Sequence, residues 1–553
     1  MPINASVPRT DLGTHVVFNQ GEALVDVNLF DADWILTALV EAAGGAGHVE
    51  LLSRFGARAG SEEVQYWGEL ANRNPPQLRA FDRFGRRIDE VEFHPAYHAL
   101  MALGLEAGAS SIAWTAPRAG HVAHSALLYL LTQAEAGVGC PMSMTYAAVP
   151  ALRKQPEIAE LWEPRIAAAR YDARCLPAHQ KAGVTLGMAM TEKQGGSDVR
   201  ANSTVAIAQA DGSYALTGHK WFVSGAMGDG FLALAKINGD DTGLSCFFVP
   251  RWRLDDSRNT LELQRLKDKM GDRSNATCEM ELREAAANLV GPEGRGVATI
   301  LEMVQHTRLD CVTGAAATMR VALSNAIWNA QRRSAFGRRL IDQPMMRQVL
   351  ADLVLESSAA TALAMRIALA FDRSPADPAQ VLLARLMTPI AKYWVCRRAT
   401  PVVAEAMECV GGSGYVEESP LARAFRQAPL NGIWEGSGNV IVLDTMRVMQ
   451  REPEAVEAMA QFLLAWLPGQ AERIDAALIA FRTGEPNRAR QCVEHLAILL
   501  AGASLVELGL EALGIAYVNN RLAPVAATSF GAAVLEASLV DELIEWGALE
   551  SGK

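Results

Sequence analysis

The side chains best suited to chemistry lie in a few short stretches. In Ile433-Trp-Glu-Gly-Ser-Gly-Asn439 a carboxylate stands between an indole and a glycine pair. Apolar company raises a carboxylate's affinity for protons, which makes Glu435 a candidate general base near neutrality. Met190-Thr-Glu-Lys-Gln-Gly-Gly-Ser-Asp-Val199 offers something different. Its paired glycines let backbone amides approach a phosphate, with the hydroxyls of Thr191 and Ser197 as further donors. The plain alternative is a surface turn. Gly218-His-Lys-Trp-Phe-Val-Ser224 sets aromatic rings beside a hydroxyl in a strand pattern, which also fits the edge of a core strand. Arg333, in a helical pattern that runs on to Gln343, has the planar fork that suits phosphate oxygens, although a lone helical arginine is more often solvated. Met407-Glu-Cys-Val-Gly-Gly-Ser-Gly-Tyr415 breaks a helix, usually no more than a stop signal. Taken singly, each stretch is weak.

Other chemistries fit poorly. Gly412-Ser-Gly414 and Gly436-Ser-Gly438 each begin a GxG but lack the third glycine, and neither opens a strand-turn-helix unit. The eight cysteines are scattered without a CxxC pair, so neither a disulfide framework nor a thiolate zinc site is expected. His94/His98 straddle Pro95, His121/His124 are three apart, and no HExxH glutamate accompanies them; packing or surface histidines are the expectation and metal is not.

The elements that must position these groups fall into four regions. Residues up to 185 are Ala/Leu-rich with helical spacing after an N-terminal extension of no strong periodicity, and the turn-rich run 72–77 interrupts them. From 186 to 292 short β-prone segments such as Gly230-Phe-Leu-Ala-Leu-Ala235 predict an antiparallel domain of hairpins. Long helical patterns return over 293–447, and residues 448–553 form a further helical region opened by Pro453 and Pro468-Gly469. The chain has 553 residues, half of them hydrophobic and a fifth charged, a globular composition that excludes extensive disorder. A net charge of −11 argues against a chain-wide grip on nucleic acid. No export signal is visible in residues 1–13, and the apolar run 496–506 is too short to cross a bilayer, so a cytoplasmic protein is expected.

Together, and in this order, the stretches resemble the acyl-CoA dehydrogenase flavoproteins over about residues 90–450. The family's TEPxAGSD loop resembles 191–198, its GxKxWI(S/T) strand 218–224, its RxxFG helix 333–337, its GGxGY turn 411–415 and its YEGT segment 434–437. MTEKQGGSD, IWEGSGN, the run Arg265-Leu-Lys-Asp-Lys-Met-Gly-Asp-Arg-Ser-Asn-Ala276 and the long C-terminal extension are similar to the AidB branch, flavin-containing members linked to the response to DNA alkylation. The branch likeness includes Asn74-Pro-Pro76 and Phe93-His-Pro95.

The resemblance implies an α+β fold: N-terminal helical domain, central antiparallel β-domain, four-helix bundle and an extra C-terminal helical domain. It also implies FAD and an oligomer, usually a dimer of dimers. Met190 and Thr191 would face the flavin ring, Ser197 the pyrophosphate, and Phe222, Val223 and Ser224 the isoalloxazine and its N5. Arg333, Phe336, Gly411 and Gly412 would hold the ADP half in a neighbouring subunit, and Trp434, Gly436, Ser437 and Asn439 would close over the cofactor. Glu435 aligns with the catalytic base, and Arg308 with an arginine near the acyl-CoA. Gln305 stands where many members carry Asp, Glu408 replaces a glutamine, and the spacing to Gln343 is one residue short. Three functions are in play: an FAD-dependent acyl-CoA dehydrogenase, an AidB-type DNA-binding protector with little turnover, and a flavin-stabilised scaffold. No acyl chain or electron acceptor is named by the sequence. Residues 445–553 carry eight basic and fourteen acidic side chains, 8 − 14 = −6, so duplex DNA binding is expected to be weak or absent. Any duplex binding is expected to use a small patch of Arg482, Arg488 and Arg490, with Arg488 and Arg490 the first suspects.

Overall fold

The computed structural model describes residues 9–239, 243–482, 486–523 and 528–549. They divide into two compact units, one made of 67–311 with 433–441, the other of 1–66, 312–432 and 442–553.

The unit built on 67–311 opens with a β-hairpin, Gln77–Phe81 against Arg87–Glu92, just where the run at 72–77 stops the preceding helix. Four long helices follow, Pro95–Glu106, Gly120–Ala134, Gly139–Leu152 and Pro156–Ala167, with a short one at Ile112–Thr115. Every residue of Gly120–Ala134 is buried, including His121, His124, Ser125, Thr132 and Gln133. Seven strands then form one sheet in the order Leu261–Leu266, Thr277–Val290, Tyr214–Ser224, Val205–Ala208, Gly230–Ile237, Leu186–Ala189, with Leu244–Pro250 pairing both Thr277–Val290 and Gly230–Ile237. Alternate residues of Gly230–Ile237 feed two cores. Leu232 and Leu234 meet Tyr146, Leu152 and Trp162, while Phe231 and Ala233 meet Phe247, Leu263 and Met280. Burial on both faces explains why this strand reads as an unbroken apolar run.

The sheet is not wholly antiparallel as expected. Leu186–Ala189 and Val205–Ala208 both pair with Gly230–Ile237 in parallel. Long excursions separate the partners, and a parallel pair needs such a crossover rather than a tight turn.

The other unit is helical. Its N-terminal segment, without strong periodicity in sequence, forms helices Trp34–Ala42 and Val49–Ala59. Asp33 accepts from the Leu36 amide at the first helix start and pairs with Arg320 at 2.9 Å, both side chains buried. Helices Pro344–Arg373 and Pro378–Val410 pack with Pro453–Trp466, Ala489–Glu507 and Ala537–Gly547, so residues 448–553 share a compact unit with 312–432. Glu356 lies fully buried between Arg398 (3.0 Å) and Arg521 (2.8 Å), with the Tyr517 hydroxyl at 3.2 Å. Arg366 pairs with Glu507 nearby. At the two ends of the sequence, the rings of Trp34 and Trp546 stack with centroids 4.8 Å apart. Pro344–Arg373 and Ala489–Glu507 are long and apolar enough to cross a membrane, but 100% and 72% of their most apolar windows are buried inside the protein.

The helical pattern expected to carry Arg333 to Gln343 ends earlier. Helix Gly296–Arg332 stops, and Ser334–Ala335 pairs with Arg338–Arg339 in a tight hairpin whose turn residues Phe336 and Gly337 both have positive φ, 54° and 78°. Two positive φ values in a two-residue turn match the twist of paired strands. Asn19 braces the hairpin. Its side-chain amide donates to the Ser334 carbonyl (2.9 Å), its side-chain oxygen accepts from the Ser334 amide (2.7 Å), and its own carbonyl accepts from Arg333 (3.2 Å). The indole of Trp328 donates to the Glu22 carbonyl at 2.7 Å, so the segment around Asn19 is strapped along the helix end.

Candidate active site

The candidate base sits where two segments meet inside the unit built on 67–311. Glu435 has φ 56° and Gly436 φ 104°, a sharp left-handed turn ahead of helix Gly438–Arg451. The φ of Gly436 is one that glycine adopts freely, and a Cβ there would also press on the Ile441 side chain at 2.9 Å. Helix Gly296–Arg332 holds this turn with consecutive residues. The Thr307 hydroxyl donates to Glu435 Oε2 at 2.7 Å, and Arg308 Nε donates to the Glu435 carbonyl at 3.2 Å. Glu435 therefore has a polar partner as well as the apolar company read from sequence. Arg308, matched to an acyl-CoA contact, is buried and engaged with this backbone.

The same helix presents His306 and Asp310 to a buried aromatic cluster. His124 Nε2 lies 2.8 Å from Asp310, His121 Nδ1 lies 2.7 Å from the Tyr146 hydroxyl, and Trp114 donates to the Tyr146 carbonyl at 3.0 Å. Burial pushes His306 down to about 4 and His121 well below its ordinary value. His94 caps helix Pro95–Glu106 and His98 meets the Tyr171 hydroxyl at 2.7 Å. Among the described residues no His/Cys/Asp/Glu group is arranged to hold a metal ion.

The glycine loop and the aromatic strand lie side by side. Trp221 donates its amide to the Thr191 carbonyl, and Asn202 donates to the Met190 carbonyl at 2.9 Å. Glu192, inside the loop, is fully buried against Lys220 at 2.9 Å and also accepts from the amides and hydroxyls of Ser203 and Thr204. Ser197 is exposed, and Phe222 is 52% exposed on the strand. Val223, between two site residues, is fully buried in the sheet core, so its backbone alone is left to meet a ligand. Ser224 meets the Thr277 hydroxyl at 2.9 Å, and Lys269 donates to Thr277, the Asn275 carbonyl and Asp272. Cys140 is close by; burial first, then Asp272, push its thiol up, with Lys269 opposing.

Met190, Thr191, Ser197, Phe222, Val223, Ser224, Arg308, Trp434, Glu435, Gly436, Ser437 and Asn439 thus belong to one unit, and Arg333, Phe336, Gly411 and Gly412 to the other. Phe336 is 99% exposed at its hairpin tip, and Gly411 (φ 77°) ends helix Pro378–Val410. Sequence reasoning gave no role to Thr307, Cys140, Lys220 or Thr277. Lys269, Asp272 and Asn275 fall in the run 265–276 noted for its AidB-like wording, but their cluster around Ser224 depends on contacts no spacing reveals.

Residues 19–173 match the Adaptive response protein AidB N-terminal domain, 187–285 the acyl-CoA dehydrogenase middle domain and 294–450 its C-terminal domain. The chain is 44% identical over 501 residues to AidB of Escherichia coli (strain K12), covering 89% of this chain and 92% of that protein. This chain belongs to the acyl-CoA dehydrogenase family. Within it, the chain is AidB-like. Caenorhabditis elegans ACDH-11, solved with C11-CoA, superposes with TM-score 0.81 at 26% identity, over 98% of this chain and 94% of that one. An acyl-CoA dehydrogenase from Bacillus anthracis complexed with FAD shares the fold at TM-score 0.64 and 16% identity, over 93% of this chain and 86% of that one.

The fold is that of an acyl-CoA dehydrogenase, with helical N- and C-terminal domains and a central β-domain. FAD is its cofactor. The residues present fit that group. A Cβ at Gly196 would lie 2.5 Å from Thr191 Oγ1, so glycine lets the loop backbone pack directly against that hydroxyl. Next to it stand exposed hydroxyl and aromatic groups, Ser197 and Phe222, of the kinds a pyrophosphate and a flat ring system need.

Proposed function

We propose that this family member is an oxidoreductase that removes the α- and β-hydrogens of an acyl-CoA thioester, with Glu435 as the α-proton base. The observation that carries the reading is the Glu435 carboxylate, aimed by Thr307 and carried on a backbone fixed by Arg308. An α-proton beside a thioester is weakly acidic, so a positioned carboxylate in a site shielded from water is required. When bound, FAD supplies the acceptor for the electron pair that leaves with the β-hydrogen. Met190, Thr191, Ser197, Phe222, Val223 and Ser224 would hold it, with Trp434, Gly436, Ser437 and Asn439 closing over it. Arg308 would stay near the acyl-CoA while bracing the base. A backbone N–H at the base would polarise the thioester oxygen. The ligand of ACDH-11, C11-CoA, makes a straight medium-length acyl chain a sensible first probe.

A homotetramer goes with this reading. Phe336 is almost wholly exposed on a hairpin that spends backbone conformation to present it, which favours Arg333, Phe336, Gly411 and Gly412 serving a neighbour's cofactor. Among the described residues the eight cysteines form no disulfide, in keeping with a cytoplasmic site of action. The domain limits 1–185, 186–292, 293–447 and 448–553 are kept as functional divisions.

The test is an anaerobic titration of the FAD-loaded protein with a panel of straight-chain acyl-CoAs, read by flavin absorbance. Bleaching is expected in wild type. E435Q should keep FAD and lose bleaching rate by several orders of magnitude. Unchanged rates in E435Q would place the base elsewhere, and no bleaching with any chain would remove the dehydrogenase reading.

Shielding of DNA is the alternative, and charge opposes it. Beyond the net −6 of 445–553, Arg521 is buried with Glu356 and Asp352, and Arg490 donates to the Tyr393 hydroxyl at 3.1 Å. Glu485, Glu550 and Lys553 of that sum, and the Arg482 side chain, lie outside the described residues. Arg488 and Arg490 both remain exposed and are the first residues to test if duplex binding is found.

A further inference from the structure

In the dehydrogenation reading Thr307 only aims the Glu435 carboxylate, and its second contact points to a further task. Its Oγ1 lies 2.7 Å from Glu435 Oε2 and 3.1 Å from the Val304 carbonyl one turn back in the same helix. A hydroxyl has one proton and can donate it to only one of these acceptors at a time. We infer that Thr307 is a positioning residue that donates to Glu435 while the carboxylate is ionised and turns to Val304 once Glu435 has taken a proton. This inference rests on Glu435 being the base.

The geometry supplies the reasons. Glu435 and Gly436 occupy a left-handed turn whose backbone is held by Arg308 at the Glu435 carbonyl, which restricts the main chain at the base. The carboxylate's aim is then decided by its side-chain torsions, and Thr307 is a contact that sets them. Donation to a charged oxygen is about twice as strong as to a neutral one, so the ionised form is favoured and held still. Protonation weakens that bond, and the Val304 carbonyl keeps the buried hydroxyl satisfied instead of leaving it orphaned. The cost of taking the α-proton is lowered by that second acceptor.

Other groups face the same carboxylate. Arg308 adjoins it on the same helix, and Cys140 on helix Gly139–Leu152 is close enough for Glu435 to act on its thiol. Lys269 and Asp272, from the segment ahead of strand Thr277–Val290, act on Cys140 in turn. Substituting Thr307 leaves all of these charges in place, so a change in Glu435 titration is the hydroxyl's own.

The experiment uses full-length FAD-loaded protein as wild type, T307V, T307S and E435Q. Infrared difference titration of carboxyl absorption, with E435Q as the blank, reads the Glu435 midpoint without any substrate. T307V is expected to raise the midpoint by about half a unit or more, a roughly threefold or larger gain in proton affinity, and T307S to restore it. Where T307V loses its FAD, T307A removes the hydroxyl without adding bulk and is read the same way. In flavin bleaching by a C11 acyl-CoA, the acid limb of the pH profile should shift with the same sign. A wild-type midpoint in the hydroxyl-free variants overturns the role of Thr307. Full bleaching by E435Q overturns the base assignment instead, and the two failures cannot be confused.

Discussion

Five donors converge on the Glu192 carboxylate: the amides and hydroxyls of Ser203 and Thr204, and the Lys220 ammonium. Burial by itself would raise this group, but Lys220 and the hydrogen bonds outweigh it and hold the carboxyl down at about 2. Because the folded value lies below the ordinary 4.5, this stabilisation is complete above about pH 4.5 and is lost as pH falls towards 2. E192Q should therefore flatten acid unfolding in that window. At neutral pH it leaves Lys220 buried without its counter-charge, a change that costs about 3–5 kcal/mol, measurable by urea denaturation. Wild-type stability in E192Q would mean Lys220 is served by the Leu234 carbonyl alone. The loop was legible in sequence as a turn suited to phosphate. That its glutamate turns inward was not, because the partner lies 28 residues away on another strand. Thr307 escaped notice for the same reason: its neighbour Arg308 matched a motif, whereas its own partner is 128 residues away.

At the scale of elements, strong periodicity was readable and irregular segments were not. The strands of the central sheet run from Leu186 to Val290. Its parallel pairings were hidden because register depends on long crossovers rather than on local alternation. The Arg333 segment looked helical because its residues suit a helix, yet Asn19, over 300 positions earlier, supplies strand-like hydrogen bonds to Ser334 and redirects the chain. Asn19 itself has φ 58°, a conformation that Asn tolerates better than most residues. N19A should cost about 1–2 kcal/mol and speed hydrogen exchange at the Ser334 amide. N19G, which tolerates the backbone angle but lacks both side-chain bonds, separates the two effects. An unchanged exchange rate in N19A would show that the hairpin stands without its strap.

At the scale of the whole molecule, a buried acid ties the last helices to the middle of the chain. Glu356, on Pro344–Arg373, binds Arg398 from Pro378–Val410 and Arg521 from Glu511–Arg521, and the Tyr517 hydroxyl joins them. Burial favours the neutral acid, but the two guanidinium groups prevail and hold the carboxyl at about 2. E356Q should destabilise this unit by about 3–5 kcal/mol, since two arginines lose their buried partner. Thermal unfolding followed by circular dichroism would detect it, and an unaltered transition would refute the clamp. Truncation at residue 450 is accordingly a poor probe of DNA binding, because it would strip Tyr517 and Arg521 from Glu356. Charge reversal at exposed Arg488 leaves that core intact, and duplex affinity near physiological salt should be weak both before and after it.

The stacking of Trp34 on Trp546 bears on how the polypeptide is made. A ribosome delivers residues 67–311 as a nearly complete unit early in translation, and domains generally fold as they emerge. The first 66 residues have no such opportunity. Their partners at 312–432 and 442–553 are synthesised later, and Trp34 waits for a tryptophan more than 500 positions downstream. During that interval Ile35, Leu36, Leu39 and Val40, buried in the finished protein, are exposed on the nascent chain. Chaperone demand during synthesis should therefore concentrate on the N-terminal helices, and release of the last helix at 537–547, rather than emergence of the β-domain, is the event that ends it.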